Sequence, residues 1–223
     1  MTEIIPILSD SNCYLLKTGS NFILFDTGFK SKRSHIEAVL TESGVNSDNL
    51  KLIILSHGDI DHADNARYFR EKYNTKIAMH KLDEGMATCG DMYHNRKNTP
   101  DRITFFFRFI ILLSNLFTNK EAFDSFTPDI YLYDDFNLSD YGLNAQILET
   151  PGHSAGSLSV WTDDGSLLCG DLVYNIMGKP KCFMIDDLKK YNETLDKLKK
   201  MNINYIFPGH GKPFQFSRNI FNV

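Results

Sequence analysis

The 223-residue chain is 42% hydrophobic and 13% aromatic, enough for one large core or two small ones. A formal charge of −4 and no Lys/Arg-rich block speak against nucleic-acid binding through a basic face. The four cysteines, Cys13, Cys89, Cys169 and Cys182, are scattered without a CxxC pair, which argues against a disulfide framework and suits a reducing cytoplasm.

The start, MTEIIPILSD, is acidic where a secretory leader is basic and lacks its long apolar core, so a cytoplasmic protein is expected. Strands are predicted at EIIPIL, NCYLLK and NFILFD, with turns at Ser9–Ser11 and Thr18–Ser20. SKRSHIEAVLTESG reads as a helix with Ile36, Val39 and Leu40 on one face and Gly44 as its stop. KLIILS is a β-branched apolar strand that leads into SHGDIDH, followed by a helix at ADNARYFREKYN and a strand at KIAMH. This alternation is the pattern of a layered α/β fold.

Residues 83–128 break the alternation. A polar opening, DEGMATCGDMYHNRKN, gives way to the apolar run TPDRITFFFRFIILLSNLF, with a helix start predicted at Thr99, Pro100 and Asp101. The run is shorter than the ~20 residues of a membrane span and carries Arg108 in its middle, so stable membrane insertion is not expected. Its apolar residues circle the helix, which must be covered on several sides. A lid over a cleft ranks first, a homodimer face second and a membrane-surface contact third.

The last third returns to strands. AQILETPGH is strand then loop, and SLSVWTDDGSLLCGD is a hairpin turning at Asp163–Gly165. DDLKKYNETLDKLKKM is a helix with Leu188, Tyr191, Leu195 and Leu198 at helical spacing, and NYIFPGHG is a final strand and loop. Two strand-rich halves, each ending strands in His/Asp loops, suggest a pseudo-duplicated sandwich.

Four such loops carry the chemistry: SHGDIDH (56–62), TPGHSAGS (150–157), CGDLVY (169–174) and FPGHGKP (207–213). Buried strand ends are costly places for unpaired charge, and imidazole with carboxylate is a ligand set for divalent metals. Glycines beside His153, Asp171 and His210 permit the sharp turns that would bring these side chains to one place. Four histidines and three aspartates exceed the needs of one tetrahedral ion, so two ions are expected.

Taken in this order, the motifs resemble those of the metallo-β-lactamase superfamily, whose usual first motif is HxHxDH, followed by a single His, an Asp and a final His. The match runs from FDTG, in the stretch Ile23–Gly28, to PGHG near the C-terminus. The resemblance implies a single α/β (α+β) domain over 1–223, a four-layer αββα sandwich with a two-metal site at one edge of its sheets. Position by position, it implies His57, Asp59 and His153 around the first metal. Asp61, His62 and His210 would hold the second, with Asp171 bridging and Asp26 in support. It further implies hydrolysis of an ester, thioester, lactone or related bond in a small-molecule substrate by a metal-activated hydroxide that Asp61 orients. Alternatives are an iron-dependent oxidoreductase or dioxygenase of the same fold, and a non-catalytic ligand-binding member.

Asp59 departs from the pattern, standing where histidine is usual. As a ligand it makes the centre one charge more negative, which opens a zinc site to harder ions such as iron or manganese. Ser56 and Ser154 are expected to hydrogen-bond ligands, and Cys169 to be a small buried residue at a strand end. His35 and His80 read as ordinary surface or strand residues. Tyr93, His94 and Arg96 lie in the inserted segment, within reach of a substrate.

Overall fold

The structure is a computed structural model that describes residues 2–94, 96, 99–105, 108, 122–176 and 178–217. Strand Cys13–Thr18 shows how the layers arise. Cys13 and Leu15 pack with Ile36, Leu40 and Phe69 of the helices Arg33–Glu42 and Ala66–Tyr73. Tyr14 and Leu16 point the other way, into a core shared with Ile147, Leu158, Val160 and Leu168 of a second sheet. The side-chain period of two thus makes both faces apolar, and the strand reads as one continuous apolar run.

Strands Glu3–Ile7, Cys13–Thr18, Asn21–Phe25, Leu50–Ile54, Ile77–His80 and Ile130–Leu132 form the first sheet in that order, antiparallel at the start and parallel from Asn21–Phe25 onward. The second runs Phe214–Gln215, Tyr205–Phe207, Ser166–Leu168, Leu158–Thr162, Ala145–Glu149. Its outer face carries Leu148 and Leu167 against Tyr191, Leu195 and Leu198 of helix Leu188–Leu198. Asp187 caps that helix by accepting from the Lys190 N–H at 2.9 Å. Helices, sheet, sheet and helix make four layers, an αββα sandwich.

Parallel neighbours end at the same edge. Asn21–Phe25 delivers Asp26 there, and Leu50–Ile54 delivers the loop of His57 to His62; Ser166–Leu168 and Tyr205–Phe207, also parallel, deliver Asp171 and His210. The loops are tied across the sandwich. Leu158 N donates to Ser56 O at 2.7 Å, Asn12 N to Gly209 O at 2.7 Å, and the Tyr14 hydroxyl to Pro208 O at 2.6 Å.

Two expectations are corrected. Thr99 to Asp101 does not start a helix: Arg102–Ile103 is extended and pairs antiparallel with Met184–Ile185, and the Asp101 carboxylate instead accepts from Leu188 N at 2.9 Å. Nor is Tyr205–Phe207 the last strand, because Phe214–Gln215 folds back beside it. Most of the apolar run, residues 106–107 and 109–121, lies outside the described residues, and the lid expected there with it. Among the described residues no helix is long and apolar enough to cross a membrane. All four cysteines are free, with Cys169 buried at the end of its strand.

Candidate metal centre

All seven predicted side chains meet at that edge, in two groups on either side of Asp171. In the second group, His62 Nε2 lies 3.1 Å and His210 Nε2 3.4 Å from Asp171 Oδ1; Asp61 Oδ2 lies 3.6 Å from His62 Nε2 and 3.1 Å from His210 Nε2. Four ligands each about 2.1 Å from a tetrahedral ion stand about 3.4 Å apart, so the spacing fits one. The Nε2 of His62 and Oδ1 of Asp171 are buried without a hydrogen-bond partner. Such atoms are costly to leave unmet, and a cation would meet them.

The imidazoles are oriented by what lies behind them. His62 Nδ1 is 2.8 Å from Asp26 Oδ2, His153 Nδ1 3.1 Å from Met184 O, and His210 Nδ1 2.6 Å from Asp10 O. These oxygens only accept, so each Nδ1 carries a proton and each ring turns its Nε2 inward, where it offers a lone pair in the neutral form. His57 follows by relay. The Ser56 hydroxyl donates to Asp26 Oδ2 at 2.8 Å, leaving its oxygen to accept from His57 Nδ1, also 2.8 Å away. Asp26 also accepts from Ser56 N at 2.7 Å, and sits at φ +61°, a left-handed turn that aims its carboxylate at both motif histidines. It is a support and not part of either group.

The first group differs. Asp59 Oδ2 lies 3.5 Å from His57 Nε2 and 3.1 Å from His153 Nε2, and Asp171 Oδ2 lies 3.9 and 3.7 Å from the same two atoms. The spacing again suits an ion, and His57 Nε2 is buried without a partner. The other donors are engaged. Arg96 reaches in from the segment expected to face a substrate: Nη1 stands 2.8 Å from Asp59 Oδ1 and donates to Oδ2 at 3.0 Å, and Nη2 lies 3.2 Å from His153 Nε2. Its Nε donates to Asp186 Oδ2 at 2.9 Å. The Tyr174 hydroxyl donates to Asp171 Oδ2 at 2.5 Å.

Charge and burial pull against each other here. Burial alone would raise Asp171, yet His210 and His62 hold it well below the carboxylate range; Asp61 is lowered by the same two histidines. Burial would lower His210, but Asp171 and Asp61 outweigh it and raise it to about 10. Burial and Asp171 together push the Tyr174 hydroxyl up, so it remains a donor.

Packing leaves no slack. A Cβ at Gly209 would stand 2.3 Å from Asp171 Oδ1 and 2.9 Å from His62 Cε1, so only glycine lets this loop close on the centre. Buried Asp83 joins the His57 and His153 loops, accepting from Ser154 Oγ at 2.7 Å, Gly156 N at 2.8 Å and Gly58 N at 3.3 Å. The centre opens into a cleft of about 720 Å³ walled by Met92, Tyr93, Ile103 and Met184 and lined also by Arg102 and Arg108. His94 lines a neighbouring cavity of about 340 Å³, as does His80, whose Nε2 lies 3.1 Å from Glu149.

Sequence reasoning missed three of these residues, Tyr174, Asp83 and Asp186, and named Arg96 only as within reach of a substrate. Tyr174 closes the quoted CGDLVY but was given no role, and Asp83 and Asp186 belong to no motif. For Arg96 there was a signal: an acid in a buried histidine position calls for a nearby cation.

A sequence profile of the metallo-beta-lactamase superfamily matches residues 7–210. The chain is similar to the Beta-lactamase-like protein 2 homolog of Caenorhabditis elegans, 25% identical over 207 residues, which are 92% of this chain and 57% of that protein. It thus spans little more than half of that relative. A probable metallo-hydrolase of Methanocaldococcus jannaschii is 25% identical over 213 residues, 91% of this chain and 88% of its own. Among solved structures, TTHA1623 in a di-iron-bound form shares the fold at a TM-score of 0.67 and 20% identity, over 98% of this chain and 97% of that one.

Proposed function

The chain belongs to the metallo-β-lactamase superfamily, and on that footing we propose that it is a metal-dependent hydrolase acting on a small-molecule ester, thioester, lactone or related bond. One observation carries the reading: four imidazoles, each anchored through Nδ1, turn Nε2 toward three carboxylates in one buried pocket. His57, Asp59, Asp61, His62, His153, Asp171 and His210 are proposed as the ligand set, with zinc the first choice. A divalent ion bound there supplies water acidified to near neutrality and a Lewis acid for the substrate oxygen.

The chain's own groups do the rest. Asp61 is a more exposed member of the second group, 17% against 4% for Asp171, and faces the cleft. It stays ionised, so its carboxylate can hold the ion through Oδ2 while its other oxygen orients the attacking water and takes its proton. Tyr174 keeps its proton at the cleft floor, where its hydroxyl holds Asp171. Buried Asp26 fixes both motif rings, a role it fills without touching substrate. Met92, Tyr93, Ile103 and Met184 suit an apolar body, and exposed Arg102 and Arg108 suit a carboxylate or phosphate attached to it. The free cysteines support a reducing, cytoplasmic setting.

The test is a panel of esters, thioesters, lactones, β-lactams and phosphodiesters, run on protein of measured zinc, iron and manganese content. Metal-dependent turnover of an acyl substrate, abolished by chelation and restored by the ion, is expected. Iron-bound protein that consumes oxygen and hydrolyses nothing would replace this reading with an oxidoreductase of the same fold.

A further inference from the structure

The two groups around Asp171 have matching donor spacing but are not equally free to take a cation. In the second, no side-chain or backbone donor among the described residues meets His62 Nε2 or Asp171 Oδ1. In the first, Asp59 carries Arg96 on both oxygens, His153 Nε2 faces Arg96 Nη2 at 3.2 Å, and Asp171 Oδ2 takes the Tyr174 hydroxyl at 2.5 Å. His57 Nε2 and Asp59 Oδ1 make no hydrogen bond, but Asp59 Oδ1 stands in ion-pair contact with Arg96 Nη1 at 2.8 Å, so only His57 Nε2 has no cation beside it.

A guanidinium donates and never accepts, so Arg96 Nη2 addresses the lone pair that a metal would need from His153. The residue is well fixed: its side chain is 6% exposed, and Nε, Nη1 and Nη2 are all engaged, on Asp186, Asp59 and His153. Its fork matches a carboxylate, and it is the side chain best suited to a buried ion pair. A divalent ion added in contact with the same donors would meet its positive charge at short range in a buried site.

We propose that Arg96 is the resident cation of the first group, so that the protein holds one ion tightly, at Asp61, His62, Asp171 and His210, and fills the His57–Asp59–His153 position only when the guanidinium is displaced. Asp59 and Arg96 together are neutral, as is the histidine usual at position 59. Asp59 is then kept by its guanidinium and does not draw a harder metal. The inference rests on the reading of this centre as a metal site.

Metal-free full-length protein, and its Arg96→Met and Arg96→Lys variants, are titrated with Zn²⁺ by calorimetry and with Co²⁺ by visible absorption. Wild type is expected to bind one equivalent, with any second at least about 100-fold weaker. Arg96→Met should bind two, the second Co²⁺ adding its own absorption bands, and Arg96→Lys, which keeps the charge, should stay near one. Two tight equivalents in wild type, or no gain in a folded Arg96→Met variant, overturns the inference and leaves the metal reading standing. No tight binding by wild type overturns the metal reading itself. Should Arg96→Met fail to fold, the wild-type stoichiometry decides alone.

Discussion

The strand-end loops and the segment from Asp83 to Thr104 reach the same centre by different routes. Each loop takes its position from the strand before it, and its histidine is locked by a neighbour at the edge, as Ser56 and Asp26 lock His57 and His62. The segment contributes through side chains that cross the molecule. Arg96 bonds Asp59, His153 and Asp186, which are 37, 57 and 90 residues away in sequence. Asp83 joins two loops, and Asp101 receives a helix N–H. The strand ends therefore place the loops and lock their rings from behind, whereas neutralisation and the joining of loops come from a segment outside them.

That division predicts graded effects. Asp171 faces both groups, so Asp171→Ala should remove all tight metal binding and lower kcat/KM by on the order of 10⁴-fold, as loss of a member of a concerted set does. Metal content measured after desalting checks it; one retained ion would show that the groups do not share this residue. Asp26→Asn leaves every donor in place but replaces an acceptor of the His62 Nδ1–H and the Ser56 hydroxyl. Metal affinity should fall about 10- to 100-fold with the fold intact, read by competition with a chromogenic chelator. An unchanged affinity would mean that the rings need no carboxylate behind them.

Legibility follows the same line. Alternating burial in Cys13–Thr18 and helical spacing in Leu188–Leu198 are local periodicities, and the layers follow from them. The seven donors were legible because strand ends in a layered fold converge. The extended Arg102–Ile103 was not, because its conformation is chosen by Met184–Ile185, far along the chain, against a local helix signal at Thr99. Arg96 was visible only as a cation near a substrate, since its partners lie on three separate loops.

The smallest expected effect tests the segment alone. Asp83 Oδ1 accepts from Gly156 N, and Oδ2 from Ser154 Oγ and Gly58 N. In Asp83→Asn one of these oxygens becomes an NH₂ that must oppose a backbone N–H, at a cost of about 1–3 kcal/mol for the unmet pair. In a chain of this size each kcal/mol lowers Tm by about 2–4 °C. The groups affected, Gly58 N, Ser154 Oγ and Gly156 N, stand beside His57 and His153 of the first group, so the ion held by His62 and His210 should stay, while the melting point falls and the Arg96–Asp59 contact loosens. Thermal melts with and without Zn²⁺ separate the two effects. A variant that loses its metal as readily as Asp26→Asn would place Asp83 among the supports of the ligands themselves, and the contrast between the strand-end loops and the Asp83–Thr104 segment would fail there.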